Sequence, residues 1–310
     1  MSLRGAKRRS NLIILFLFPF LFLSGCATLY NPATEKKELV FITTPMEVAL
    51  GKNTAMQVAK QYTFIKDPQQ ANRVTEIGEK VAKVSDRTDL KYHFAVVSDK
   101  EINAFTMPGG YIYINSGLLE ITNDDELACV IGHEIGHVAA RHIAKKLQAQ
   151  LGYDILMNIA LQNASVRQMR QAINLTFNLA TLGYSREDEL LSDRLGAKYA
   201  YKAGYDPYAM VTFLKKLQAK DKSDMGPVFL RSHPYTSQRI QLMEKAMPSI
   251  ISKADAGKIA KNSPELQTAS NSIEGGPKDR SQTRVMCQKC RRIFPGTVNY
   301  CPYDGTKLGP

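Results

Sequence analysis

No stretch of this 310-residue chain is apolar for long enough to cross a bilayer. The longest, "LIILFLFPFLFL", has 12 residues, where a spanning helix needs about 20. No acidic residue precedes it, and the first ten positions carry Arg4, Lys7, Arg8 and Arg9 without a counter-charge. There is no internal repeat, and tryptophan is absent, which excludes nothing. The remaining composition, 44% hydrophobic and 23% charged, is ordinary for a soluble globular protein. The length suits one good-sized core with a smaller appendage.

A basic segment followed by a short apolar run has the form of a secretory signal. The next residues, Leu23-Ser24-Gly25-Cys26, resemble a bacterial lipobox, in which small residues precede a cysteine that is lipidated and becomes the mature N-terminus. A plain signal peptide cut nearby is the alternative. On the lipobox reading, residues 1–25 are removed and 26–44 form a tether. Acyl chains on Cys26 then hold the protein to a membrane, each buried methylene contributing about 0.8 kcal/mol. Ala27 is not an aspartate, which favours the periplasmic face of the outer membrane. The formal charge of +12, less the four leader cations, leaves +8. That excess suits an anionic lipid surface or acidic clients, or is simply a solvated basic face. Nucleic acid is not an expected partner in that compartment.

From residue 45 the patterning is mostly helical. Asp67 and Pro68 supply an N-cap and a first helical residue, and Val74, Ile77, Val81 and Val84 share one face,. "KYHFAVVSD" (91–99) and "NAFTMPGGYIYINSG" (103–117) alternate and are rich in β-formers,. They predict a small antiparallel sheet with Gly109-Gly110 at a turn. Helices are predicted over 123–149, 151–163, 166–182, 185–203, 207–220 and 235–247. The fold class is therefore mainly α with one small sheet (α+β). A globular domain over 45–249 gives way to a Ser-, Gly- and Pro-rich linker over 250–283 and a short tail over 284–310,.

The chain has only five histidines, and two of them stand four apart in "CVIGHEIGHVAARH". A chance His-Glu-x-x-His is expected in roughly one such sequence in a few hundred. On a helix His133 and His137 project from one face and can hold zinc. Glu134 is about 100° round from His133, poorly placed to ligate but able to take a proton from a water on the metal. Gly132 and Gly136 are costly in a helix interior and imply close approach by backbone or substrate. A catalytic zinc needs a third protein ligand and an open position. In "SREDELLSDRLG" Glu189 and Asp193 lie one turn apart, with Glu187 and Asp188 as rivals. Glu189 as ligand, with Asp193 accepting the other N–H of a ligand histidine, would give both roles to one helix. A solvated acidic face paired with Arg186 and Arg194 is the alternative. His142, five residues past His137, points away from the metal face on a continuous helix and is read as structural. Cys129 is read as a small buried residue.

Four segments, "NAFTMPGGYIYINSGLL", "ELACVIGHEIGHVAARH", "SREDELLSDRLGAKYA" and "HPYTSQRI", resemble in order and spacing the periplasmic BepA-like zinc endopeptidases, kin of HtpX and the CAAX prenyl proteases. The resemblance covers about residues 45–247. It implies that His133, His137 and Glu189 bind zinc, that Glu134 is general base and acid, and that Asp193 supports a ligand histidine. It also implies that Asn103, Ala104 and Phe105 lie on an edge strand that receives substrate by strand addition. His233, with Pro234 and Arg239, would lie near the cleft, plugging the open zinc position, stabilising the oxyanion, or only packing. The expected activity is hydrolysis of unfolded or misassembled envelope proteins. A chaperone-like or scaffold lipoprotein with a latent, plugged zinc site is the alternative, and an amidase acting on cell-wall peptide is a third class. BepA-type members often carry C-terminal helical repeats, and this chain departs from them there.

The tail "CQKCRRIFPGTVNYCPYDG" places Cys287, Cys290, Cys301 and Asp304 as in a zinc ribbon with aspartate for its fourth cysteine. A Cys287–Cys290 disulfide is the rival in an oxidising compartment. So short a unit needs one or the other. The expected cofactors are one zinc ion at the helix pair and a second in the tail.

Overall fold

The structure is a computed structural model that describes residues 28–160, 163–220, 227–234, 236–262, 284–286 and 293–295. The first unit, to residue 257, is built around two helices, α4 (Asp124–Ala139) and α8 (Arg186–Lys202). They pack against each other more extensively than any other pair of elements. Each begins at a capping box in which side chain and backbone exchange hydrogen bonds, Asn123 with Glu126 and Ser185 with Asp188,. From Glu126 to Ala139 every residue of α4 is buried, as expected of a helix that is apolar nearly all round.

Close approach of the two backbones explains the helix glycines. A Cβ on Gly132 would come 2.7 Å from the carbonyl oxygen of Gly196, and one on Gly196 would come 2.7 Å from the backbone nitrogen of His133. Gly136 faces the Cα of Ser192 in the same way. What approaches the histidine helix is therefore the backbone of its partner.

Helices α1 (Thr44–Gln61) and α2 (Pro68–Lys83) precede a three-stranded sheet of β3 (His93–Val97), β4 (Ala104–Met107) and β5 (Tyr111–Asn115), in spatial order β3-β5-β4. The antiparallel hairpin expected around Gly109-Gly110 joins β4 to β5, with both glycines at positive φ,. β3 differs from the expectation and pairs in parallel with β5. The hairpin closes β4 onto one edge of β5, and β3 takes the other edge, running in the same direction as β5. Residues 63–65 cover the outer edge of β3 through Ser98 N–H to Thr63 O and Ile65 N–H to Val96 O. β4 and β5 are almost wholly buried, on both faces. Ala104, Ile112 and Ile114 join the core of α2 and α4, while Phe105, Met107 and Tyr113 pack with Val58, Ile143 and Ala180.

The helix predicted over 123–149 is broken. After the short α3 (Ser116–Leu119), α4 ends at Ala139, Arg141 takes a left-handed conformation with φ 60°, and α5 (His142–Gln150) starts in a new direction. That conformation is disfavoured for a side chain with a Cβ. The Arg141 guanidinium is anchored in compensation, donating to Glu47 Oε1 at 3.1 Å and to the carbonyl of Ile42. Arg87 pairs with the other oxygen of Glu47.

Beyond α5 come α6 (Tyr153–Ala160), α7 (Val166–Thr181), α9 (Ala209–Lys220), α10 (Val228–Ser232) and α11 (Thr236–Asn262). Two expectations about the ends are revised. The segment read as a tether forms a hairpin, β1 (Thr28–Asn31) with β2 (Lys36–Leu39). Asn31 fastens it to the carbonyl of Ala139 at 3.1 Å, and Lys145 to Glu38. The stretch from 250, read as linker, starts as helix, because Ile250, Ile251 and Ala254 still pack on the core or are buried. In the second unit, β6 (Arg284–Met286) pairs antiparallel with β7 (Ile293–Pro295). Cys26, Cys287, Cys290, Cys301 and Asp304 lie outside the described residues.

Gly196→Ala tests the crossing. Alanine gains up to about 1 kcal/mol of helix propensity, but overpacking costs about 1–3 kcal/mol. The variant should unfold at a lower urea concentration than the wild type, whereas a midpoint that rises would show that the helices can separate freely.

Candidate metal centre

α4 supplies the first half of the site. His133 and His137, one turn apart and buried, bring their Nε2 atoms within 2.9 Å of each other. α8 supplies Glu189, whose Oε1 lies 3.4 Å from His137 Nε2 and whose Oε2 lies 3.7 Å from His133 Nε2. The loop after α10 supplies His233, with Nδ1 3.2 Å from His133 Nε2 and 3.0 Å from Glu189 Oε1. The ligand atoms of these four residues all lie within 4.8 Å of one another. A tetrahedral zinc ion with bonds near 2.0–2.1 Å holds its ligand atoms about 3.3 Å apart. The observed spacings bracket that value, so the donor set fits zinc.

Charge points the same way. Glu134, Glu189 and Asp193 are buried together with a single guanidinium, that of Arg239. With all three carboxylates ionised and the imidazoles neutral, as metal binding requires, one cation leaves two negative charges, and buried charge without a partner is costly. A divalent cation balances them. Both oxygens of Glu134 are buried and find no hydrogen-bond partner among the described residues, with Oε1 3.6 Å from His233 Nε2. Burial raises the Glu134 carboxyl above the ordinary range, and His233 and His133 offset this only in part. For His233, burial opposes the cation, but the carboxylates of Glu189 and Glu134 outweigh it and raise its proton affinity. Burial holds His137 well down, so its ring is neutral near pH 7. Glu189 stays well below the usual carboxylate range despite burial, because His233, Arg239 and His133 surround it.

The supporting residues lie behind these. Asp193 Oδ1 is 2.9 Å from His133 Nδ1, the contact expected from its place one turn after Glu189. Arg239, named from the sequence beside His233, is buried behind the cluster. It grips Asp193 with Nε at 2.7 Å and Nη2 at 2.6 Å, and its Nη1 reaches Glu189 Oε2 at 2.7 Å and the His233 carbonyl at 2.9 Å. Of the rivals to Glu189, Glu187 is exposed and Asp188 faces His142. Asn103 directly precedes β4, and Ala104 and Phe105 open it at the sheet edge beside α4, outside the ligand cluster. Cys129 is buried near the carbonyls of Asp206 and Pro207, away from the cluster, and burial raises its thiol.

Two residues escaped the sequence reading. His142 was taken to point away, yet its Nδ1 meets His137 Nδ1 at 2.9 Å, because the break at Arg141 turns it back. Tyr184 lies against the rings of His137 and His233, at 3.8 and 5.5 Å between centroids. The sequence carries no signal for either, since both contacts depend on where chain breaks and loops place the rings.

Residues 68–247 match Peptidase family M48. The chain is similar to the beta-barrel assembly-enhancing protease of Yersinia pestis, 29% identical over 205 residues covering 63% of this chain and 42% of that protein. It is 28% identical over 207 residues to the protein of the same name in Escherichia coli K12, with the same coverage. It is also similar to the mitochondrial metalloendopeptidase OMA1 of Schizosaccharomyces pombe, 26% identical over 225 residues covering 71% of this chain and 66% of that protein. The chain spans less than half the length of the beta-barrel assembly-enhancing proteases it matches.

Arg239→Met tests the electrostatic account without reference to activity. Burial alone would raise Asp193, but Arg239 and the N–H of His133 outweigh it and hold its carboxyl below the usual range. A depressed carboxyl contributes stability above its unfolded pKa of about 3.9, and that contribution is lost as pH falls through the folded value. Removing the arginine leaves buried carboxylates unpaired, so urea unfolding of the apo-protein at pH 7 should show a loss of about 3–5 kcal/mol. The gap to wild type should narrow as pH falls from neutrality, because burial without the arginine makes those carboxylates take up protons above their unfolded pKa,. A gap independent of pH would refute the account.

Proposed function

Because the chain belongs to peptidase family M48, we propose that it is a zinc metalloendopeptidase whose catalytic domain spans residues 45–249. The observation that carries this reading is the four-residue cluster at zinc spacing, with the buried, unpartnered carboxylate of Glu134 beside it. His133, His137 and Glu189 are the ligands in this reading, held from behind by Asp193 and Arg239. Zinc, when bound, polarises the scissile carbonyl and lowers the pKa of the attacking water. Glu134 takes the proton of that water and delivers it to the departing amine. A carboxylate with raised proton affinity suits both steps,. β4, with Asn103, Ala104 and Phe105, offers the sheet edge along which an extended substrate backbone can pair,.

His233 occupies the fourth corner of the cluster, stacked on Phe229 at 4.2 Å between ring centroids. A catalytic zinc keeps that position open. The geometry therefore favours the plug over the oxyanion donor, and His233 must leave before the site can work. The substrates we propose are unfolded or misassembled proteins of the cell envelope, by analogy with the beta-barrel assembly-enhancing proteases. The protein would reach them at the periplasmic face of the outer membrane through lipid on Cys26. No helix among the described residues is long and apolar enough to span a membrane. In the tail, Cys287, Cys290, Cys301 and Asp304 would hold a second, structural zinc.

Cleavage of casein or another unfolded protein by wild type and Glu134→Gln tests the activity. The variant should be slower by roughly 10²–10⁴-fold. Equal client handling by both proteins, without cleavage, would instead support a chaperone-like lipoprotein. His233→Ala should keep its zinc and cleave faster, and a slower variant with zinc retained would make His233 the oxyanion donor. Metal analysis should give two zinc ions in the wild type, one fewer in His133→Ala and one fewer after truncation before residue 284.

A further inference from the structure

A second line of polar contacts leaves the cluster at His137. His137 Nδ1 lies 2.9 Å from Nδ1 of His142, and His142 Nε2 lies 3.2 Å from Oδ1 of Asp188. The other oxygen of Asp188 accepts the backbone N–H of Ser185 at 3.2 Å, closing the N-terminal cap of α8. We propose that Asp188 and His142 are positioning residues, forming a relay that fixes the tautomer of His137 and aims its Nε2 lone pair at the zinc ion. This rests on the reading of His137 as a zinc ligand.

The direction of the relay follows from which groups can donate. A neutral imidazole has one proton. If Nε2 of His137 binds the metal, the proton is on Nδ1, which faces Nδ1 of His142. Two N–H groups cannot face each other at 2.9 Å, so Nδ1 of His142 is bare and its proton is on Nε2. That proton needs an acceptor, and an ionised carboxylate only accepts. Asp188 Oδ1 is in place. His142 is buried, so water cannot readily substitute for either contact.

The two ligand histidines are thus served from the same helix in different ways. Asp193 reaches His133 directly. Asp188 lies more than one turn earlier on α8 and needs a spacer, which the ring of His142 supplies. In an unbroken helix His142 would stand about 140° round from His137. The left-handed residue Arg141, anchored by Glu47 and the Ile42 carbonyl, folds it back beneath the ligand. The break between α4 and α5 therefore has a purpose at the metal.

Asp188→Asn tests the relay. The Ser185 N–H requires an acceptor, so the amide oxygen takes the cap and the NH₂ group is left facing His142. The ring of His142 must then accept on Nε2 and carry its proton on Nδ1. That forces the His137 proton onto Nε2, against the metal. Outer contacts of this kind change metal affinity by about 10–100-fold. Transfer of zinc from the full-length protein to a chromophoric chelator should therefore run about 10–100-fold faster in Asp188→Asn, with the urea midpoint of the apo-protein lowered only slightly by loss of a first-turn charge on α8,. His142→Leu should lose zinc as fast as Asp188→Asn. His142→Gln, whose carbonyl can still accept from His137, should remain within a few-fold of wild type. Wild-type zinc retention in Asp188→Asn would overturn the relay. So would zinc loss that only tracks a lowered apo-protein midpoint across the three variants. If wild type and His137→Ala bind zinc equally at this site, the ligand reading itself fails, an outcome distinct from failure of the relay alone.

Discussion

The structure depends on how closely α4 and α8 cross. Their backbones meet where Gly132 faces Gly196 and Gly136 faces Ser192, with no room for a Cβ at either of the first two. A wider crossing would carry Glu189 away from the imidazoles by the width of a side chain, and ligand atoms a few ångströms too far apart cannot share an ion. Helix propensity is given up at three positions to gain that contact. The capping boxes at Asn123 and Ser185 and the full burial of α4 hold the pair in register.

Around the crossing, the site is organised by charge. Asp193 and Glu189 are bound to the buried guanidinium of Arg239 and stay ionised, whereas Glu134 is left without a hydrogen-bond partner and its proton affinity rises. The same burial thus gives neighbouring carboxylates different roles, one set held as fixed anions and one with raised proton affinity,. Arg239 links the pieces, since it also holds the carbonyl of His233 and so ties that residue to Asp193 and Glu189.

Elements whose signal is local were legible in the sequence. The i, i+4 spacing of His133 and His137, the glycines beside Glu134, the Asp67-Pro68 helix start and the Gly109-Gly110 turn all depend on neighbours within a turn or two, and all appear as expected. The break at Arg141 did not show, because nothing in "VAARHIAKK" disfavours helix. It is Glu47, far away in sequence, that anchors the left-handed residue. The parallel pairing of β3 with β5 was equally hidden, since alternation marks a strand but not the direction of its neighbour,.

The sequence by itself determined which residue types can bind a metal and which of them share a helix face, because rise and turn per residue fix such relations without help from the rest of the chain. It left Glu187, Asp188 and Glu189 as rivals and Arg239 without a settled place, and it pointed His142 away from the metal face. Only the tertiary structure decided among them, sending Glu189 to the cluster, Asp188 to His142 and Arg239 behind Asp193. The physical reason is that these contacts join segments 44 to 100 residues apart. Their geometry is set by the crossing of two helices, one chain break and one loop, none of which has a local code.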